Sequence, residues 1–198
     1  MMLIELTQVP DAALPVAEFR NHLQIGSGFA DDGSQDAVLA PLLRAAIAAV
    51  EGECGKALYA RTFQFVVTAW RGIARQSLPV APASAIQSVT VTDMGGGEEV
   101  IATSAYRLVR DTHLPELKSA GWALPTIPVG GTAEIVFDAG FGAAWPDVPP
   151  ALAQAVMMVA AHYYENRSAT VDRAKALPLG VESLIRPYRP IRLFGRRE

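Results

Sequence analysis

The stretch VPPALAQAVMMVAAHYYENRSATVDRAKALPLGVESLIRP, residues 148–187, decides how the chain is read. Pro149 and Pro150 suit a helix start, because the N–H groups they lack would be unsatisfied there anyway. Leu152, Ala155, Val156, Val159, Ala160 and Tyr163 then fall on one helix face. This spacing predicts a helix to about Asn166, with a loop from Ser168. A shorter helix is expected over residues 180–185, stopped by Pro187. The tail that follows, PYRPIRLFGRRE, is too short to fold alone, so the upstream chain reads as a frame for this helix and tail.

Working outward, the N-terminal part supplies two more helices. Residues 1–13 read as an extended arm, and Pro15 opens a short helix over 16–23 with Val16, Phe19 and Leu23 on one face. GSGFADDG, residues 26–33, is a loop. A longer helix is expected over 36–53, capped by Ser34 or Asp36, with Pro41 in its early turns and Gly55 as its stop. Its apolar set is Val38, Leu39, Leu42, Leu43, Ala46, Ile47 and Val50.

Between these helical parts the period changes. TFQFVVTAW (62–70) is rich in β-branched and aromatic residues, and IQSVTVT (86–92) alternates, with Ile86, Val89 or Val91 facing a core. Residues 78–82 are an edge or linker, and 94–97 (MGGG) a turn returning into a strand at 98–101. Residues 106–110 and 133–137 complete about five short strands, and the interval holding Pro115, Pro125 and Pro128 reads as loop or ragged edge. No helix separates the strands, which favours antiparallel pairing. The expected class is α+β: a helical core of two N-terminal helices plus a C-terminal helix, an antiparallel β-rich insertion and an extended tail. The divisions are 1–60, 61–147, 148–186 and 187–198.

Composition bounds the function. With 198 residues, 51% hydrophobic and 19% charged, the chain is globular rather than disordered. The net charge of −3 conceals an asymmetry: residues 186–198 hold five arginines against Glu198, so a mildly acidic body carries a basic end. Cys54, the single cysteine, excludes an intrachain disulfide and fits a reducing compartment. The N-terminus lacks the basic start of a signal peptide, and no apolar run approaches a membrane span, so a soluble protein made in the cytosol is expected.

No catalytic constellation emerges. His162 and Glu165, at i and i+3, match a two-ligand metal spacing, but a carboxylate-bridged site needs ligands from further helices. A partly exposed helix face explains them better. His22 and His113 are isolated, Cys54 reads as a small core residue, and Asp31 with Asp32 makes a solvated loop rather than a cation site. Gly95–Gly97 and Gly140–Phe141–Gly142 are turns, not phosphate loops. The tail is different, because Arg186, Arg189, Arg192, Arg196 and Arg197 interleave with Tyr188, Ile191, Leu193 and Phe194. Three readings stand: an extended segment docking on a partner, a disordered end, and phosphate contacts with aromatic stacking on nucleic acid. No cofactor is expected.

Several segments, taken in order, resemble the head–tail connector, or adaptor, family of tailed phages. They are the Asp31–Asp32 loop, EGECGKAL (51–58), LPVAPASAIQSVTVTD (78–93), FDAGFG (137–142), VPPALAQAVMMVAAHYYENR (148–167) and LPLGVESLIRPYR (177–189). Within that family the chain is similar to the adaptor of a phage-like gene transfer agent. The resemblance implies a non-enzymatic subunit in the neck between capsid and tail, forming a homo-oligomeric ring with the portal's twelvefold symmetry and prolonging the DNA channel. It implies as partners the portal protein, further copies of the chain, a tail-side neck or stopper protein, and DNA that passes without sequence-specific binding; no membrane is involved. Tyr188, Arg189, Ile191, Arg192, Leu193, Phe194, Arg196 and Arg197 become the portal-docking tail. Leu39, Leu42, Leu43, Ile47, Leu152, Val156, Val159 and Tyr163 become the packing core and ring wall. The rival readings are a nucleic-acid-binding protein using the arginine tail and, behind it, a metal-dependent enzyme using His162 and Glu165.

Overall fold

The computed structural model describes residues 1–24, 36–166, 177–178 and 180–190. In chain order the elements are β1 (Met2–Glu5), α1 (Val16–His22), α2 (Asp36–Cys54), β2 (Arg61–Val67), β3 (Arg75–Ser77), β4 (Ala83–Thr92), β5 (Glu98–Val100), β6 (Tyr106–Val109), β7 (Glu116–Ser119), β8 (Thr132–Ala139), α3 (Pro150–Glu165) and α4 (Val181–Ile185). The class is α+β, with antiparallel sheets as the sequence implies. The described residues fall into two compact units. One holds Met1–Gln8, Gly55–Phe141 and Pro190; the other holds Val9–Cys54 and Gly142–Arg189.

The β unit contains two antiparallel sheets, one in the order β1-β2-β8-β4-β5 and one in the order β3-β7-β6. Residues 1–13, read as an arm, instead supply an edge strand, with Met2 opposite Val66 and Glu5 opposite Phe63. Strands β3 and β7 were not expected. RQS and ELKS lack the β-branched signature, and pairing with partners holds them in place, along with Leu117, which is fully buried. Both sheets turn apolar faces into one core: Phe63, Phe65 and Val67 of β2, Val89 and Val91 of β4, Ala133, Ile135 and Phe137 of β8, and Tyr106 and Leu117 from the smaller sheet.

Strand β4 explains a parity problem in the sequence. Ile86 and Val89 are an odd number apart, so on a regular strand they would face opposite ways. The register with β8 shifts between Ala83 and Ala85 and again between Ile86 and Ser88. These bulges skip a residue each time and set Ala83, Ile86, Val89 and Val91 opposite Ala139, Phe137, Ile135 and Ala133. All four thus share the core-facing side.

Two segments without a recognisable motif have local explanations. The Met94–Gly97 turn is held by Asp93, whose carboxylate accepts from the N–H groups of Gly95 (2.7 Å) and Gly97 (2.8 Å). The proline-rich interval is fastened by Trp70 Nε1 donating to Pro125 O (2.6 Å) and Leu124 N donating to Ile73 O (2.8 Å).

In the helical unit, α2 packs on α3, α3 on α4, and α1 on both α2 and α3. Phe19, Leu39, Leu43, Ala46, Ile47 and Val50 are buried, as are Leu152, Ala155, Val156, Val159, Val181 and Ile185. Cys54 is fully buried, its Sγ 3.9 Å from Ile185 O. Arg44 donates to Val9 O (2.8 Å) and pairs with Asp11 (2.5 Å), and Arg20 pairs with Asp36. Immediately after Cys54, Gly55 takes φ +61°, the left-handed conformation that ends helices. None of the described helices is long and apolar enough to cross a membrane.

The FDAGFG turn has a steric basis. Gly140 adopts φ +136°, and a Cβ there would stand 2.2 Å from Tyr59 O and 2.5 Å from Ala60 Cα. Backbone cannot yield as a flexible side chain would. Gly140→Ala should therefore cost about 3 kcal/mol or more, read as a lowered urea midpoint; an unchanged midpoint would contradict the close approach.

Candidate functional site

The C-terminal segment starts from a fixed base. Helix α4 leads into a 3₁₀ turn at Arg186–Tyr188, and Val181 and Ile185 anchor the pair by burial. Arg189 Nη2 lies 2.6 Å from Glu53 Oε2 and its Nη1 3.1 Å from Glu182 Oε1. The hydrogen bond to Glu53, reinforced by Glu182, raises the guanidinium above its ordinary proton affinity. Of the eight proposed tail residues, the structure thus places Tyr188 and Arg189 on the helical unit, both half-buried. Ile191, Arg192, Leu193, Phe194, Arg196 and Arg197 lie outside the described residues, as do Asp31 and Asp32.

The residues expected to form core and ring wall divide by exposure. Leu39, Leu43, Ile47, Leu152, Val156 and Val159 are buried within their own unit, while Leu42 and Tyr163 are half-buried. The outward side of α2 carries Val38 (50% exposed), Pro41, Ala45, Ala48 and Gly52, spaced alternately three and four apart. This stripe is small and apolar along its whole length, and a Cβ at Gly52 would meet nothing within 4 Å. Sequence reasoning passed over it because alanine fits a core, a helix surface or an interface equally well.

The residues considered for chemistry do not converge. The His162 ring lies 3.1 Å from Asn166 Nδ2, and Glu165 is exposed. His113 Nδ1 stands 3.5 Å from the Nζ of the buried Lys56, in the other unit. Among the described residues no group of three or more His, Cys, Asp or Glu side chains comes together to hold a metal.

No family model matches the sequence, and no curated protein matches it. Solved structures do. One chain in the neck of an empty GTA particle, computed with C6 symmetry, is 48% identical over 100% of both chains, with a TM-score of 0.90. A chain in the virion of a native gene transfer agent particle is 48% identical, again over 100% of both, at 0.87. A third, in the neck of a native GTA particle computed with C12 symmetry, is 46% identical over the same full lengths, at 0.84. At such identity without a gap in coverage, the likeness extends to both units. The chain belongs to the head–tail connector family, in the branch found in the neck of phage-like gene transfer agent particles.

Proposed function

We propose that this neck component is the adaptor: a non-enzymatic subunit that forms a ring beneath the portal, extends the DNA channel and joins capsid to tail. The carrying observation is the full-length likeness to chains from necks computed with C6 and C12 symmetry. A cyclic ring closes through heterologous contacts, so each subunit needs two different complementary faces. The small apolar stripe on α2 supports one of them, since side chains of this size let a neighbouring element approach closely. A dodecamer matching the portal is the arrangement proposed.

The portal-facing contact is assigned to the C-terminal segment. Arg189 is held by two carboxylates, and the sequence after it supplies Ile191, Leu193 and Phe194 as apolar anchors and Arg192, Arg196 and Arg197 as cations for such a contact. The paired Arg189 is one fewer cation for phosphate, which weakens the nucleic-acid reading of the tail. An acidic body suits a channel through which DNA must slide, because neutralised phosphates would hold it in place. A stopper or other neck protein is the proposed tail-side partner.

Light scattering of the chain alone and mixed with its cognate portal ring tests this reading. The expected result is a portal-bound assembly with one adaptor per portal subunit; a small oligomer indifferent to the portal would refute it. Ala48→Arg should leave stability within about 0.5 kcal/mol, as for an exposed site, yet abolish ring formation on the portal. Deleting residues 191–198 should leave a folded subunit that no longer joins the portal, and retained binding would remove the tail from the interface.

A further inference from the structure

The β unit has a groove of about 470 Å³ lined by residues of β2 and β3, mainly apolar but with Arg71, Gln76 and His113 in its wall. Phe65 and Val67 of β2 and Leu78, just after β3, form its floor and are 2%, 4% and 3% exposed. Leu114, half exposed at 51%, and Met1 form the rim. The rim at Leu114 is preset, because the Asp111 carboxylate accepts from the N–H groups of His113 (2.7 Å) and Leu114 (2.8 Å). Leu78 is likewise fixed by its N–H donating to Pro115 O at 2.8 Å. Its volume falls in the usual range for sites that take small ligands, roughly 300–1,000 Å³.

What makes one occupant stand out is Pro190, which itself lines the groove. The next residues are Ile191, Arg192, Leu193 and Phe194. We propose that, in the free subunit, the groove holds this chain's own segment 191–194. In extended form, successive side chains alternate in direction, so Ile191 and Leu193 enter the groove together while Arg192 stays in water. Reach is no obstacle, since three residues span roughly 10 Å and the segment starts at the rim. The inference rests on the portal-docking role of the same segment: one apolar sequence has two alternative seats. Stowage shields it before assembly and reduces its apparent affinity for the portal by the fraction stowed. The groove thus delays docking until a portal is present to compete.

The test uses the full-length chain, dilute and without portal, carrying photoreactive benzoyl-phenylalanine in place of Leu193. On illumination, adducts are expected within one chain, at residues 65–79 and 113–114, with a yield independent of protein concentration. Leu114→Asp puts a charge on the rim without touching the floor, and should lower that yield about tenfold, the loss expected from half-burying a leucine. Adducts scattered over the surface, adducts only between chains, or an unchanged yield in the Leu114→Asp variant would each overturn the proposal. Portal binding is scored separately with the unmodified chain. Groove adducts in a protein that ignores the portal would overturn the docking role alone, and scattered adducts in a protein that joins it would overturn stowage alone.

Discussion

Strand β8 is the constraint on which the β unit depends. Every residue from Ala133 to Ala139 pairs with β2 on one side, and β4 pairs along the other. A strand held on both edges has its register fixed twice, and its alternate residues Ala133, Ile135, Phe137 and Ala139 are almost wholly buried. Phe137 stacks on Phe63 at a ring separation of 5.7 Å, tying the central strand to its neighbour through side chains as well as backbone. The opposite face is polar but joined: Thr62 donates to Asp138 at 2.8 Å, Gln87 bonds the other Asp138 oxygen, and Gln64 bonds Glu134. Gly140, where β8 ends, then passes against Tyr59 and Ala60 with no room for a side chain.

Long periodic segments were legible from sequence, as were the short strands β5 and β6, but β1, β3 and β7 were not. Helices α2 and α3 carry apolar residues at helical spacing over four or more turns, and their bounds match the expected ones within a residue. Pro41 lies inside α2, in the early turns of a helix that already includes Asp36. Strands β1, β3 and β7 are three or four residues long, so their existence is decided by partners far along the chain. The double bulge in β4 belongs to the same class: alternation suggested a strand, but only the register against β8 reveals which residues share a face.

The family was legible through motif order rather than chemistry. No pattern of catalytic residues is present in the sequence, and the described side chains bring no metal-binding group together. The described surface offers a narrow apolar stripe on α2, Arg189 paired with two carboxylates, and a groove beside Pro190. Arg189 shows the limit of reading a basic tail by composition. Its charge counts toward the tail in sequence, yet Glu53 and Glu182 claim it in the fold.

The interleaved chain path bears on how the protein is made. Strand β1 is made well before its partner β2, which begins only at Arg61, and the strand beside that begins only at Thr132. Likewise α2 must wait for α3, which starts at Pro150. Neither unit can close until Thr132 and Pro150 have been made, so the apolar faces of β2 and α2 stand open while the residues between are translated. With synthesis at roughly 5–20 residues per second, that interval lasts on the order of ten seconds. Contacts between distant parts of a sequence also slow folding once the chain is complete. The apolar faces of β2 and α2 therefore stay in water until partners far along the chain arrive to cover them.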